Sequence, residues 1–439
     1  MPSPPRRLDA CLAAGTVAVI AGVLGSQLLA PAGARGATRA STVASPVTRS
    51  DGTARHQSAS ARPGATDRGA IDHDLQARLA GRMSRSTAGR YGLVFDVAGV
   101  GRVASIHPAG AMRPASTQKL FTTLPLLLDQ PGRRLVTSVR VVARPEAGVV
   151  HGDLVVHAAA DPSLLKFHLT HLAEQVRAAG VRHVTGQLRL DTGSLPMRTR
   201  QPGWKPDFVP WDVGPLSPFP VYEDVWRHDS GYLQHPTLAN LRLFRARLAD
   251  QGVSVAGGNE ITRSSHARVV VARHQSAPVR DLVRHTLQIS DNFYAETLLV
   301  VAGGHQRVRE VTADAGVTDQ SFSTDGSGLS YDDRESPRGE VMLLRYADKG
   351  PARNDLRRAL PIGCNHNGTL EHRFCGTIGA GKVFAKTGTL DHTTALAGYT
   401  TDALGRNVTF SVICAGVRSL TAAMRATDKA VLVLRHYSG

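Results

Sequence analysis

Lysine is scarce in this sequence, which carries most of its positive charge on arginine. Of its 52 lysines and arginines only seven are lysines, at positions 119, 166, 205, 349, 382, 386 and 429. An ammonium group can lose its proton when it is desolvated, whereas a guanidinium effectively cannot. A general base can therefore be a lysine but not an arginine, and each lysine in a motif is a candidate for proton transfer.

Aromatic residues are also few, at 5% of the 439 residues. Few side chains are thus available for stacking on nucleic-acid bases, and the arginines behind the net charge of +16 are scattered along the chain. These features argue against a nucleic-acid-binding protein. A hydrophobic content of 42% in a chain of this length predicts a globular protein of two domains, or one domain with a large insertion.

Cysteine occurs four times. Cys364 and Cys375 lie 375 − 364 = 11 residues apart and are the natural pair for a disulfide in an oxidising compartment, where closing the loop would contribute about 3 kcal/mol. Cys414 lies in the apolar run VTFSVICAGV and is predicted to be a buried thiol. Cys11 belongs to the N-terminal segment.

The first 34 residues have the pattern of a targeting segment. Arg6 and Arg7 precede a mostly apolar run at 11–30, and the small-residue stretch PAGARGA follows. We therefore predict export to an extracytoplasmic space. The run is also as long as a membrane span requires, so an uncleaved anchor through residues 11–30 is the alternative to a cleaved signal peptide over 1–34. Residues 35–70 lack an apolar period and predict a flexible tether.

Apolar periodicity predicts an α/β (α+β) fold built from both ends of the remaining chain. A strand hairpin over 91–108 and three strands between 382 and 417 would form an antiparallel sheet, with helices before 87 and after 417. A helix is expected behind Lys119, kinked or ended early by Pro125, and another over 279–304. The predicted domain thus comprises 71–143 and 263–439, interrupted by a mostly β block at 144–262.

The stretch RPASTQKLFTT places Ser116 three residues before Lys119. Residues three apart share a helix face, so the two side chains can meet. A second such pair, Ser163 and Lys166, follows Asp161 at a plausible helix start. Taken alone, either pair is more often a solvated first turn of a helix.

Two later motifs favour chemistry at the first pair. They are ISDNFYAE and AKTGTLD, which contain Ser290, Asn292, Lys386, Thr387, Gly388 and Thr389. Serine-x-x-lysine, Ser-Asp-Asn and Lys-Thr-Gly in this order resemble the signature set of penicillin-binding proteins and serine β-lactamases. The sequence KTGTL also occurs in cation-pumping ATPases, but there an aspartate precedes the lysine, and here Ala385 stands in its place.

The side chains of these motifs suit acyl transfer. A buried Lys119 near a second cation, Lys386, would lose its proton easily and could activate Ser116 as a nucleophile. Ser290 could relay protons, and Asn292 could bind a substrate backbone unless it is only a structural cap.

The Lys-Thr-Gly strand would serve binding. Thr387 and Thr389 would face one side of an edge strand, on either side of Gly388, and could bind a terminal carboxylate, or could be ordinary strand threonines. The amides of Ser116 and Thr389 would form an oxyanion hole.

The number of residues between the motifs indicates which family of this class the sequence resembles. Ser290 follows Ser116 by 290 − 116 = 174 residues, and the block at 144–262 accounts for the excess over compact β-lactamases. Together with DLVVHAAADPSLL, STDGSGLSYDDRESPR and GTLEHRF, the pattern resembles class C low-molecular-mass penicillin-binding proteins, the D-alanyl-D-alanine carboxypeptidase/endopeptidase family, from about Gln76 onward.

This resemblance implies a transpeptidase-like or serine β-lactamase-like domain with an inserted module, in the cell wall or a periplasm-like space. It implies peptidoglycan stem peptides as substrates, β-lactams as covalent inhibitors, Ser116 and Lys119 as the active pair, and no cofactor or metal. The motif HLTH (His168, His171) also lacks the glutamate and third ligand of a zinc hydrolase. A β-lactamase and a non-catalytic wall-binding protein remain the alternatives.

Overall fold

The computed structural model describes residues 71–87, 89–196, 198–224, 235–318 and 321–439. The predicted signal or anchor at 1–34, with Cys11, and the predicted tether at 35–70 lie outside the described residues. Within the described ranges the strands are β1 (Arg90–Val97), β2 (Gly101–Ile106), β3 (Arg134–Val141), β4 (Val149–Val150), β5 (Leu154–His157), β6 (His183–Val184), β7 (Leu188–Asp191), β8 (Ser254–Val255), β9 (Asn259–Thr262), β10 (Val269–Pro278), β11 (Phe384–Leu390), β12 (Thr393–Thr401) and β13 (Asn407–Ala415).

The same ranges also contain helices. They are α1 (His73–Thr87), α2 (Gln118–Asp129), α3 (Lys166–Ala178), α4 (Phe208–Trp211), α5 (Pro236–Asp250), α6 (Val279–Gln288), α7 (Asn292–Val301), α8 (Gly304–Asp314), α9 (Pro337–Lys349), α10 (Arg353–Ala359) and α11 (Leu420–Arg435). Among them, none combines the length and apolar character that crossing a bilayer requires.

The first sheet is built from the two ends of the described chain, as predicted. Its order is β11-β12-β13-β1-β2, and every neighbouring pair is antiparallel. Leucines and alanines of α1 and α11 pack on one face against Phe95 and Phe410. α2, α6, α9 and α10 form a second core with Ala397 and Tyr399 of β12. Helices thus cover both faces, and β11 is left at one edge.

A second sheet has the order β10-β3-β5-β7-β9. Its strands β5, β7 and β9 are parallel, while β3 is antiparallel to both of its neighbours. The predicted block at 144–262 supplies β5, β7 and β9, together with α3 and α5, but β3 and β10 lie outside those limits. Its boundaries therefore stay a prediction.

Helix α2 continues past Pro125 and ends at Asp129. Of the two expected effects of Pro125, a kink or an early end, the early end therefore does not occur. Proline removes one hydrogen bond from a helix. Here Leu120, Leu124 and Leu127 are all buried, and this packing holds the last turn in place.

The expectation of one helix over 279–304 was also wrong. α6 ends at Gln288 and α7 begins at Asn292. Between them Ser290 has φ +66°, which a helix does not allow, and the Asp291 carboxylate accepts a hydrogen bond from the Tyr294 amide at 2.9 Å. Asp291 therefore caps α7, and Ser290 occupies a turn between two helices.

The cysteine predictions are confirmed. Cys364 and Cys375 form a disulfide, and Cys414 is a buried free thiol.

Candidate active site

Ser116 and Lys119 lie where a short 3-10 turn, Ala115–Thr117, leads into α2. Lys119 is fully buried, and its Nζ donates to three acceptors: Ser116 Oγ at 2.9 Å, Asn292 Oδ1 at 2.7 Å and the Ser327 carbonyl oxygen at 2.8 Å. The lysine is therefore fixed against the serine by contacts from α7 and from the loop after residue 325.

Two glycines allow the serine turn to sit tightly between its neighbours. A Cβ on Gly388 of β11 would lie 2.6 Å from the Pro114 carbonyl oxygen, and one on Gly328 would overlap the carbonyl oxygen of Ala115. Ala115 itself has φ +49°, a conformation that costs a non-glycine residue about 1–2 kcal/mol. The turn that presents Ser116 is thus held in a strained conformation by close packing on both sides.

Ser290 and Lys386 form the second serine–lysine contact. Lys386 of β11 is fully buried, and its Nζ donates to Ser290 Oγ at 2.9 Å and to the Thr387 carbonyl oxygen at 2.9 Å. The left-handed conformation of Ser290 places its hydroxyl at the strand edge. The three motifs, far apart in sequence, are therefore brought to one place.

Burial makes both lysines easier to deprotonate. It lowers the pKa of Lys119 from 10.5 to about 8, although the carboxylates of Asp325, Asp291 and Glu296 oppose the change. Burial, and after it the charge of Lys119, lowers the pKa of Lys386 well below its ordinary value. Because the Lys119 ammonium disfavours a second positive charge on Lys386, the pair gives up a proton more readily than an exposed lysine would.

Asn292 stands at the first position of α7 and does not cap it. Besides accepting from Lys119, its side chain donates from Nδ2 to the Asp212 carbonyl oxygen at 2.8 Å. Asp212 follows α4, so the predicted inserted block contacts the site directly. The cap of the helix is Asp291 instead.

The threonines of β11 face away from Lys386. Thr389 is exposed, and the Thr387 hydroxyl lies 2.7 Å from the hydroxyl of Thr369. Thr369 belongs to the loop closed by the Cys364–Cys375 disulfide, and its amide donates to the Gln288 carbonyl oxygen at 3.0 Å. Binding of a terminal carboxylate at this edge stays a prediction, as does the oxyanion role of the Ser116 and Thr389 amides.

The second serine-x-x-lysine is arranged differently. Ser163 precedes α3 and donates to Asp161 Oδ1 at 2.6 Å, whereas Lys166 is the first residue of the helix. His168 of the HLTH motif accepts a hydrogen bond from the Leu165 amide and stacks near His274. Across the described ranges no group of three or more His, Cys, Asp or Glu side chains is arranged to hold a metal.

Sequence reasoning missed several residues that support the site. It did not identify the Ser327 carbonyl oxygen, which accepts a hydrogen bond from Lys119. It also missed the carboxylate of Asp325, which accepts hydrogen bonds from the Gly328 amide and from the Trp204 indole. Glu340, which accepts from the Thr117 hydroxyl at 2.5 Å and whose pKa burial raises to about 7, was not identified either. The glycines of DGSG were the available signal, because two glycines around one serine indicate a tight turn.

Comparison with known proteins decides the family. The chain matches the model of the D-Ala-D-Ala carboxypeptidase 3 (S13) family over residues 72–221 and 227–437. The chain belongs to this family. It is thus a serine-type D-Ala-D-Ala carboxypeptidase of the penicillin-binding class, for which membership implies peptidoglycan peptides as substrates, β-lactams as inhibitors and an extracytoplasmic site of action.

Curated relatives span most of the chain. Carboxypeptidase DacB of Mycolicibacterium smegmatis is 31% identical over 396 residues, covering 80% of this S13 chain and 84% of the relative. The D-alanyl-D-alanine carboxypeptidase DacB of Haemophilus influenzae is 23% identical over 392 residues, covering 70% and 81%.

Solved structures share the fold. Penicillin-binding protein 4 of Haemophilus influenzae superimposes with a TM-score of 0.74 at 19% identity, covering 82% of this chain and 99% of that one. The predicted transpeptidase-like architecture with an additional sheet is thereby confirmed. At this identity the likeness concerns the fold alone.

Proposed function

We propose that Ser116 is the nucleophile and Lys119 its general base in the cleavage of D-Ala-D-Ala in peptidoglycan stem peptides. The observation that carries the proposal is the 2.9 Å contact between Lys119 Nζ and Ser116 Oγ, made by a fully buried lysine. A base must lie within about 2.6–3.2 Å of the proton that it removes. The lowered pKa of Lys119 supports the same role.

The reaction would run as two acyl transfers. The Ser116 hydroxyl gives its proton to neutral Lys119 while Oγ attacks the carbonyl carbon of the penultimate D-alanine. The C–N bond then breaks, and a proton reaches the leaving amine through Ser290, which Lys386 contacts. Water hydrolyses the resulting ester and regenerates Ser116. Asn292 would hold the substrate backbone, and the edge at Thr387, Gly388 and Thr389 would bind the terminal carboxylate.

The same chemistry would cleave D,D crosslinks. A crosslink presents the same acyl-D-alanine carbonyl with a different amine as leaving group, so no additional catalytic group is needed. Solved structures that share the fold, at TM-scores of 0.52 and 0.54, are a predatory endopeptidase and a predatory peptidoglycan endopeptidase of Bdellovibrio bacteriovorus. An endopeptidase activity of this chain is therefore part of the proposal.

We also propose that the chain is exported and that residues 144–262 form an inserted module which shapes access to the site. The apolar run at 11–30 would be removed with a signal peptide or would anchor the protein in a membrane, and N-terminal sequencing of the purified protein distinguishes the two. The contact between the Asp212 carbonyl and Asn292 supports a role of the module at the site.

Intact-mass spectrometry after incubation with labelled benzylpenicillin tests the nucleophile. We expect a single adduct that maps to the peptide containing Ser116 and is absent from Ser116→Ala. Ser163→Ala is the matched control, because it alters the other serine-x-x-lysine and should leave the adduct in place. An adduct that persists in Ser116→Ala would contradict the proposal, as would rapid loss of the drug with no adduct, which indicates a β-lactamase.

A further inference from the structure

Glu296 is a buried carboxyl group on α7, one helical turn after Asn292. It is the last residue of the stretch ISDNFYAE, beyond the Ser-Asp-Asn triplet to which the sequence assigns a role. Its Oε1 accepts two backbone hydrogen bonds, from the Gly326 amide at 3.0 Å and the Ser327 amide at 2.8 Å. Its Oε2 has no partner in the described part of the chain. The carboxyl group thus binds one side of the loop that follows Asp325.

The other side of that loop binds the catalytic lysine. The Ser327 residue that donates its N–H to Glu296 accepts at its carbonyl oxygen from Lys119 Nζ, at 2.8 Å. The preceding carbonyl, of Gly326, accepts from the Thr122 hydroxyl at 2.7 Å. Glu296, the loop and Lys119 therefore form one continuous chain of hydrogen bonds.

Close packing against α7 and the two hydrogen bonds to Glu296 hold the loop in place. A Cβ on Gly326 would lie 2.7 Å from the Ala295 carbonyl oxygen, so the loop lies directly against α7. Removing Glu296 would leave two buried amides unpaired, which favours a shift of the loop. A displacement of about 1 Å at a catalytic group can reduce the rate by a factor of about 100.

We propose that Glu296 is a positioning residue for acylation, which orients Lys119 through the amides of Gly326 and Ser327. The inference rests on the proposed role of Lys119. Glu296 touches neither Ser116 nor the substrate edge of β11, so its effect would pass through the loop.

Charge gives the same residue a second effect on the lysine. Burial, and after it the charge of Asp325, raises the pKa of Glu296 to about 8. The charge of Asp325 acts on both Glu296 and Lys119, and that of Asp291 acts on Lys119. Lys386 lies beyond Lys119, and His305 of α8 lines the same cavity as Glu296. The raised pKa favours the protonated form, in which Glu296 holds the loop as a neutral acceptor. Above pH 8 its charge would raise the pKa of Lys119.

Two substitutions separate the hydrogen bonds from the charge. Glu296→Gln keeps an oxygen acceptor in place of Oε1, so we expect acylation by benzylpenicillin at pH 7 within about threefold of the wild type. Glu296→Leu removes the acceptor, and we expect the second-order acylation rate to fall about 10–100-fold. Because the glutamine never becomes charged, its acylation rate should reach half its maximum at a lower pH than in the wild type.

Asp402 provides a matched control. It is buried between β12 and β13, and its Oδ1 accepts from the amides of Leu404 at 3.0 Å and Arg406 at 2.8 Å, just as Glu296 accepts two loop amides. Asp402→Leu should lower the melting temperature and leave the acylation rate of the folded enzyme unchanged.

The outcomes distinguish this inference from the proposed function. If Glu296→Leu is folded and acylates as fast as the wild type, or if Glu296→Gln is as slow as Glu296→Leu at pH 7, the positioning role is refuted. If Glu296→Leu does not fold, the comparison of Glu296→Gln with the wild type across pH decides, and coincident profiles overturn the inference. Failure of the proposed function would appear separately, as an adduct formed by Ser116→Ala.

Discussion

At the scale of single residues, the site depends on a lysine that burial makes easy to deprotonate. Lys119 can act as a base only without its proton, and burial lowers its pKa to about 8. We therefore expect the second-order acylation rate with benzylpenicillin to rise with pH up to about 8 and to fall towards tenfold per unit well below it. Stopped-flow acylation between pH 6 and 9.5 measures this profile.

Asp291→Asn tests in which direction the same pH profile moves when a negative charge near Lys119 is removed. The Asp291 charge raises the pKa of Lys119, so its removal should move the rising limb to lower pH. The side chain accepts from the Tyr294 amide as a helix cap, and asparagine caps helices about as well as aspartate. A rising limb that stays in place or moves to higher pH would argue that Lys119 is not the titrating base.

The motifs allowed the contact between Ser116 and Lys119 to be predicted, but sequence patterns could not identify the residues that support it. Ser116 and Lys119 are three residues apart, so helix geometry alone brings them together. Ser327 acts through its backbone carbonyl, and Glu296 acts through backbone amides. Backbone groups are the same in every residue, so no side-chain pattern reveals which of them will be used.

At the scale of elements, the important feature is the break between α6 and α7. The apolar residues before and after 289–291 keep the spacing of one helix, which is why the sequence predicts one helix. The break arises from tertiary contacts: Ser290 adopts φ +66° where its hydroxyl meets Lys386. Local pattern thus predicted the first sheet and its strands well, and it failed where the site imposes a conformation that the pattern does not favour.

The loop closed by Cys364 and Cys375 makes an element-scale prediction. It presents Thr369, whose hydroxyl lies 2.7 Å from that of Thr387 on β11. Replacing both cysteines by serine should lower the free energy of unfolding by about 2–4 kcal/mol. The reason is that a chain without this crosslink gains more conformational entropy when it unfolds. It should also raise KM more than it lowers kcat, since the Thr387 edge would lose its neighbour. Denaturant unfolding and steady-state kinetics with a D-Ala-D-Ala peptide measure the two effects.

Thr369→Val separates the two effects of that change. It removes the hydroxyl and keeps the disulfide, so KM should rise while stability stays within about 0.5 kcal/mol of the wild type. If Thr369→Val leaves KM unchanged while the double serine variant raises it, the loop acts on the substrate by another route.

At the scale of the whole molecule, the first sheet and the predicted module both contribute contacts at the site. The first sheet supplies Lys386 through β11, and the predicted module supplies the Asp212 carbonyl and the Trp204 indole, which donates to Asp325 at 2.8 Å. Lys205 also forms an ion pair with Asp391, directly after β11. A module that only extended the protein away from the site would not make these contacts.

Trp211 gives the module a testable role in substrate selection. It is 80% exposed at the end of α4, next to Asp212, whose carbonyl binds Asn292. An exposed aromatic side chain supplies a large contact area at a low cost in conformational entropy. We expect Trp211→Ala to lower kcat/KM for crosslinked peptidoglycan fragments about 5–30-fold, because one large aromatic contact is worth about 1–2 kcal/mol. Acylation by benzylpenicillin should change by less than about threefold, because surface substitutions rarely disturb the fold.

Phe167→Ala is the control for this comparison. Phe167 is 50% exposed on α3 of the same module, where its ring contacts those of His168 and His171. It should leave both rates unchanged. The rates of both variants are measured with a purified dimer of crosslinked peptidoglycan fragments and with benzylpenicillin. The comparison separates an effect on the selection of extended substrates from a loss of activity on every substrate. Equal losses on the two substrates in Trp211→Ala would mean that the residue supports the catalytic site itself, and equal losses in Phe167→Ala would mean that the module acts through its stability.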